Sequence, residues 1–409
     1  VVYLQRPFLR YYNMRLFKYL LISALMLVAA ACGHHEPDGG KTRTDGDVKR
    51  AILVYAVNNS SLAYDFKDDY NEMLTALSAV DNSDCRLLVY YTESDSECGI
   101  YEAVKSKGKG NAAAKQGEYE FVKRKSYRRD VPSTHPDRIA DVIDYALTLF
   151  PNAAYDLIFW GHGMSWRPDF SDHQLNSPLK PKGYGGEYNP TGSQLDWTSI
   201  SELANAVPDH KFQTIWFDCC YMTGIEVVYQ FRNKCSTFVG YPTEVWQDGM
   251  QYDEVLPYLL RDTPDVVGGA MAFYTHYASD QEPVTVAVID MSKIEPLADA
   301  ARVSVKSGDL RPSESELLNY SRSRNWPFYD FRQFFSLTAS LNGDDAAAAK
   351  VENVVTDAVV YSAAFGTNFN MRPWDVSLIS GLSTHYYKAT DSKEEKYYRT
   401  LDWYKRVYE

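Results

Sequence analysis

The stretch Asp156-Leu157-Ile158-Phe159-Trp160-Gly161-His162-Gly163 decides how the rest of the chain is read. Leu157 to Trp160 are apolar without alternation, the pattern of a strand buried on both faces of a parallel sheet. The run stops at a histidine flanked by glycines, so an ionisable ring is delivered to the strand's carboxyl end. Further on, Thr214-Ile215-Trp216-Phe217 repeats the pattern and stops at Asp218-Cys219-Cys220. Ligands of open parallel sheets collect outside the carboxyl ends of the strands, so His162 and Cys220 are expected along one edge.

Outward from these two runs, strands and helices alternate. Ala51–Val57, ended by Asn58-Asn59, and Arg86–Tyr91 read as buried strands, as do Ser236–Tyr241 and Val284–Ile289. Tyr64–Val80 carries Tyr70, Met73, Leu74 and Leu77 at helical spacing, and Pro136–Phe150 reads as a helix opened by Ser133 or Thr134. Helices are also expected over Asp196–Val207, Met222–Phe231, 251–261 and 264–277, and Glu118–Lys125 as one arm of a hairpin. Residues 105–117 read as a loop. Residues 164–195 form a long insertion rich in proline and glycine, and loops of that length are usually functional. The alternation predicts an α/β fold, a mostly parallel sheet with helices on both faces, over residues 49–290. From 291 to 409 the pattern turns helical and irregular, with aromatics clustered in 324–334 and 384–404, and reads as a C-terminal subdomain.

The N-terminal segment has a different purpose. Arg15 and Lys18 precede an apolar run from Tyr19 to Ala31 that ends at Leu27-Val28-Ala29-Ala30-Ala31-Cys32. A charged start, a short apolar stretch and small residues describe a secretory signal, too short for the roughly 20 residues of a membrane-spanning helix. Cysteine directly after the small residues resembles the lipobox of bacterial lipoproteins, which marks Cys32 for acylation and the protein for the cell envelope, at the outer membrane or cell surface. Residues 1–31 are then a signal peptide, with 1–13 an upstream extension before Met14, and 32–48 a lipidated cysteine and polar tether. The chain's formal net charge of −12 argues against nucleic acid as a partner, because that grip needs clustered cations. The basic run Lys123-Arg124-Lys125 with Arg128-Arg129 reads as a solvated hairpin arm or a binding patch. With Cys32 acylated, five of six cysteines remain, an odd number that leaves a free thiol. Cys85 and Cys98 can bridge a short loop, whereas the adjacent Cys219 and Cys220 cannot pair without strain.

A thiol at a helix start is favoured as a thiolate, and a nearby imidazole can carry its proton, which together make the nucleophile–base pair of acyl transfer. His162 and Cys220 are the candidates. If the strand continues, Asp218 and Cys220 share one side and Cys219 points away. Asp218 then either pairs with a basic substrate side chain or caps the following helix. Glu244 and Asp248 are the alternative charges for reading the substrate. Lys180 and Lys182, in the long loop, are candidate self-cutting sites; Arg167 is weaker because Pro168 follows it.

The segments Asp156–Gly163 and Phe217-Asp218-Cys219-Cys220-Tyr221-Met222 resemble the two catalytic blocks of the clostripain family, which belongs to the caspase-like clan of cysteine peptidases. Similarity continues through Gly224–Tyr229 and Tyr241-Pro242-Thr243-Glu244, with weaker echoes at Gly381-Leu382-Ser383 and Trp403-Tyr404-Lys405. The family usually has alanine where Cys219 stands. The resemblance implies a caspase-like fold and an endopeptidase with a His162–Cys220 dyad, cutting after arginine or lysine through a thioester. It also implies Asp218 lining the specificity pocket and an oxyanion hole from the N–H groups of Gly163 and Cys220. Peptides or proteins with basic residues are the implied substrates. No cofactor is required, although some relatives use calcium and some are activated by cleavage between the blocks. Two rivals stand beside this reading: a catalytically silent surface-binding protein on the same fold, and a metal hydrolase using His162, Asp169, Asp172 and His173.

Overall fold

Apolar runs that do not alternate must be covered on both sides, and the chain meets that demand with one large sheet between two helical layers. The computed structural model describes residues 48–80, 84–106, 118–169, 180–188, 195–322, 327–367 and 375–409. Its strands are β1 (Arg50–Ala56), β2 (Cys85–Thr92), β3 (Glu97–Lys105), β4 (Tyr119–Arg128), β5 (Ala154–Trp160), β6 (His162–Gly163), β7 (Pro168–Asp169) and β8 (Lys180–Pro181). They continue with β9 (Tyr184–Tyr188), β10 (Leu195–Thr198), β11 (Phe212–Asp218), β12 (Cys235–Gly240), β13 (Val284–Asp290), β14 (Tyr329–Asp330), β15 (Val359–Phe365) and β16 (Ser383–Thr384).

The main sheet runs β15-β13-β12-β11-β5-β1-β2-β3-β4. Its five central strands are parallel, β2 to β1, β1 to β5, β5 to β11 and β11 to β12. Two antiparallel strands extend each flank. This is the mostly parallel sheet expected from the alternation. The chain leaves β1 toward β2 on one side and later lays β5 on the other. Loops after β1 and β5 therefore part, and such a switch point opens a crevice.

Successive side chains of the central strands feed opposite layers. Leu53 and Tyr55 join a core with the helices Pro136–Leu149, Ile200–Ala206, Ile225–Gln230 and Ile294–Lys306. Ile52 and Val54 join the other core, with the helices Asp65–Val80, Tyr252–Leu259 and Val266–Ser279. Cys85 belongs to the second layer and Cys98 to the first, so the suggested Cys85–Cys98 bridge is not formed; both are buried free thiols.

The beginnings of two helices need correcting. The helix from Pro136 is capped by His135, whose Nδ1 accepts the Asp137 N–H at 3.2 Å. Ser133 instead gives its N–H to Glu187 at 2.6 Å, a long-range partner invisible to local spacing. Residues 195–198 are strand, and the helix starts only at Ile200, where Ser199 and Glu202 form a capping box. The 164–195 insertion is structured in part, since β9 pairs with both β6 and β10. Beyond residue 291 the chain supplies β15 to the sheet edge, and the described residues lie in one compact unit, Gly46–Glu409. The basic run is neutralised by Lys123–Glu93, Arg124–Glu102, Lys125–Asp141 and Arg129–Glu187 pairs. The signal, Cys32 and tether readings fall on residues 1–47, outside the described residues. Among the described residues no helix is long and apolar enough to cross a membrane.

Candidate active site

Trp160 of β5 and Asp218 of β11 are register partners, so His162 and Cys220 each stand two residues beyond the same rung of the sheet. Gly161 makes the turn after β5 with φ 143°, a conformation that side chains disfavour. His162 then pairs with Gly185 of β9, which fixes its backbone in a second, small sheet. Gly163 packs directly on the cysteine turn. A Cβ there would stand 2.5 Å from the Cys220 carbonyl oxygen, 2.9 Å from Cys219 Cβ and 3.1 Å from Met222 Sδ.

Cys220 does not open a helix, as the spacing had suggested. A turn intervenes, with Tyr221 at φ 63°, and the six-residue helix Ile225–Gln230 begins only after Gly224. The thiol is therefore without the helix-terminus help that was expected. Its Sγ accepts the Val245 N–H at 3.4 Å and lies 3.9 Å from the Val245 carbonyl oxygen. It borders an apolar patch of Tyr221, Tyr320 and Phe328. Burial pushes the thiol up to about 12; Glu244 and Asp218 add to this, while the Val245 N–H and Arg322 oppose it. At neutral pH Cys220 is therefore a neutral thiol. Cys219 faces the other way, into the core, with Sγ 3.3 Å from the Phe159 carbonyl oxygen.

His162 is lowered by burial, so its ring is neutral and able to take a proton near pH 7. Its Nε2 lies 3.0 Å from Ser61 Oγ, and its ring centroid is 6.1 Å from that of Trp197. Neither Ser61 nor Trp197 carried a local signal. Ser61 is brought there by the crevice between the loops after β1 and β5, a hint available only once strand order is known.

Asp218 is buried on the layer opposite Cys219. Its carboxylate accepts the Met250 N–H at 3.1 Å and the hydroxyls of Tyr252 and Tyr241, each at 3.3 Å. It does not cap the helix, which starts seven residues later. Burial raises it to about 6, and those hydrogen bonds oppose the rise. Gly249 leaves room for it: a Cβ there would meet Asp218 Oδ2 at 3.0 Å. Asp69, also raised by burial and then by Asp218, accepts the Trp160 indole N–H at 2.6 Å. Asp65 is raised to about 6 by burial and by Asp248, which is exposed. Carboxylates thus gather on this side of the sheet edge. Glu244 pairs with the chain's own Arg322 at 2.9 Å.

In the insertion, Lys180 pairs through its backbone with Asp169, while Lys182 places Nζ 5.9 Å from the Trp197 ring centroid, beside the histidine. Arg167 is buried and bridges Glu394 at 2.5 Å, which removes it from access. Asp172 and His173 of the metal reading lie outside the described residues. Among the described residues no group of three or more His, Cys, Asp or Glu could hold a metal ion.

The clostripain-family model (peptidase C11) matches residues 54–409. No curated protein matches the chain. Among solved structures, a secreted C11 cysteine protease from Bacteroides thetaiotaomicron, in complex with an irreversible peptide inhibitor, is 26% identical. It covers 88% of this chain and 99% of its own, with a TM-score of 0.74. An inactive zymogen C11 protease from Parabacteroides distasonis is 23% identical over 88% of this chain and 98% of its own, TM-score 0.72. A second secreted C11 cysteine protease from Bacteroides thetaiotaomicron, iotapain, is 18% identical over 88% and 99%, TM-score 0.71. The last two agree in fold, the caspase-like sheet.

Proposed function

The chain belongs to the clostripain family of cysteine peptidases, and from that premise we propose that it is an endopeptidase in which Cys220 attacks and His162 moves the proton, cutting after arginine or lysine. The observation that carries this reading is the shared rung: His162 and Cys220 leave neighbouring parallel strands at the same height, with Gly163 packed on the cysteine turn.

In the reaction, His162 takes the Cys220 proton and the sulfur bonds to the scissile carbonyl carbon. The N–H groups of Gly163 and Cys220 are assigned to the oxygen that gains charge, a role in which preorganised donors are worth most. His162 returns the proton to the departing amine, leaving a thioester that water cleaves by the reverse proton path. Asp218, held by two tyrosine hydroxyls and a backbone N–H, is the charge assigned to the basic side chain before the cut, with Asp248 nearer the solvent. Glu244 serves that purpose less well, because Arg322 already neutralises it.

A lipid on Cys32 would hold this peptidase at the cell envelope, and the relative closest in identity among those above is described as secreted. The deciding experiment is hydrolysis of a short arginine-ended amide by purified residues 33–409. Turnover stopped by thiol alkylation and absent from Cys220→Ala supports the reading; turnover that survives in Cys220→Ala rejects it.

A further inference from the structure

The histidine of the site is met by a residue that neither sequence motif contains. Ser61 Oγ lies 3.0 Å from His162 Nε2. An imidazole engaged at one nitrogen keeps the other for proton transfer, and with Nε2 on Ser61 that nitrogen is Nδ1. From this contact we propose that Ser61 is a positioning residue for the peptidase reaction: its hydroxyl oxygen accepts the Nε2–H of His162 and so holds the tautomer whose Nδ1 receives the Cys220 proton. The proposal rests on the dyad assigned above.

Three features make the contact a built one. Ser61 follows β1, the strand at the switch point beside β5, so its loop borders the crevice into which His162 projects. That loop is tied down on both sides. Asn58 exchanges two hydrogen bonds with Thr92, its Nδ2 donating to the carbonyl oxygen at 3.0 Å and its Oδ1 accepting the N–H at 2.8 Å. Asn59 is tied to Tyr188, its backbone carbonyl oxygen accepting the Tyr188 N–H at 2.8 Å and its Nδ2 donating to the Tyr188 carbonyl oxygen at 2.9 Å. Tyr188 ends β9, the strand that also pairs with His162, so one strand holds both partners of the Ser61–His162 contact. On its other flank the ring is confined by Gly186, where a Cβ would stand 3.2 Å from His162 Cδ2 and 2.9 Å from the Trp197 ring.

The proton balance closes with this tautomer. Neutral His162 carries its hydrogen on Nε2, toward Ser61, and a lone pair on Nδ1. Taking the Cys220 proton puts hydrogen on both nitrogens, and the Ser61 contact persists unchanged through both states. Returning the proton from Nδ1 to the leaving amine restores the starting ring. With the opposite tautomer Nδ1 would already carry hydrogen, and Cys220 would have no acceptor.

Ser61 is exposed in the free protein, so its variants should fold. Ser61→Ala should lower kcat on an arginine amide about five- to tenfold, the worth of one neutral hydrogen bond, with KM unchanged. Ser61→Thr, which keeps the hydroxyl, should recover most of the rate. Nitrogen-15 NMR of the histidine rings, in a Cys220→Ala background that cannot digest itself, should show the Nε2–H form for His162. Adding Ser61→Ala should raise the Nδ1–H fraction. Wild-type kcat in Ser61→Ala, an effect on KM alone, or an Nδ1–H ring in the Cys220→Ala protein each overturns the proposal. The NMR arm needs no turnover, so it reports on Ser61 even if the peptidase reading itself fails.

Discussion

Gly163 sits so close to Cys220 that a Cβ on it would stand 2.5 Å from the Cys220 carbonyl oxygen. The neighbouring atoms are backbone and buried side chain, which cannot swing away. Gly163→Ala should therefore push the histidine hairpin off the cysteine turn. We expect amidase activity to fall at least a hundredfold and stability by about 1–3 kcal/mol, the usual cost of overpacking. Thermal melting together with kcat/KM checks this; an active, equally stable Gly163→Ala protein would show that the two segments can separate freely.

The two adjacent cysteines should behave oppositely. Cys220→Ala and His162→Ala should abolish thiol-dependent cleavage. Cys219→Ala should keep kcat/KM within a few-fold, because its Sγ lies in the core against Phe159, and should lose only about 1 kcal/mol of stability, the scale of a small buried truncation. Equal loss of activity at both positions, measured on one arginine substrate, would contradict the opposite facing.

Asp218 should impose a pH dependence on specificity. Its folded value of about 6 means that it is charged at pH 7.5 and neutral at pH 5. Preference for arginine over an uncharged residue should fall as the pH drops through about 6, and Asp218→Asn should flatten that trend. Removing one partner of a desolvated ion pair costs about 2–5 kcal/mol, so arginine cleavage should suffer most. The stability sign runs the other way. A carboxyl raised on folding contributes stability below its unfolded value, near 3.8, and that contribution is lost as pH rises through about 6. The melting temperature of Asp218→Asn relative to wild type should thus be more favourable at pH 8 than at pH 5.

The C-terminal segment should prove necessary to the site. Glu226, on the helix after the cysteine turn, accepts the His385 N–H at 2.9 Å and the Tyr398 hydroxyl at 3.0 Å. Trp166, four residues beyond His162, packs edge-on to Tyr398 at 4.9 Å, and Arg167 pairs with Glu394. Glu394→Gln leaves a buried guanidinium short of its charge and should cost up to about 3 kcal/mol. Unfolding by denaturant measures it; an unchanged midpoint would mean that Glu395 makes up for the lost charge.

Cys32→Ala should move the protein from the membrane fraction to soluble or unprocessed pools. The basis is the charged, short apolar, small-residue run that ends at Cys32. Unchanged processing and membrane association on fractionation would refute acylation at that residue.

Legibility followed the range of the forces involved. The strands ending at Trp160 and Asp218 could be read directly, because burial on both faces forces unbroken apolar runs. The start of the helix after Cys220 could not, because the apolar spacing of Met222 to Phe231 suits either a turn or a first helical turn. Likewise, the aromatic Trp197 was placed in a helix but lies in β10, where pairing with β9 outweighs local preference.

From its sequence alone, then, the buried central strands, the carboxyl-edge placement of His162 and Cys220, and the family resemblance could be read, since each depends on residues near one another in the chain. Tertiary structure alone decided the state of the site. Burial makes the Cys220 thiol neutral, Asp218 is held by Met250, Tyr252 and Tyr241, and Ser61 reaches His162 from 101 positions away. Desolvation and hydrogen bonding act through space, and which groups share that space is set by strand order and loop closure, which no local pattern records.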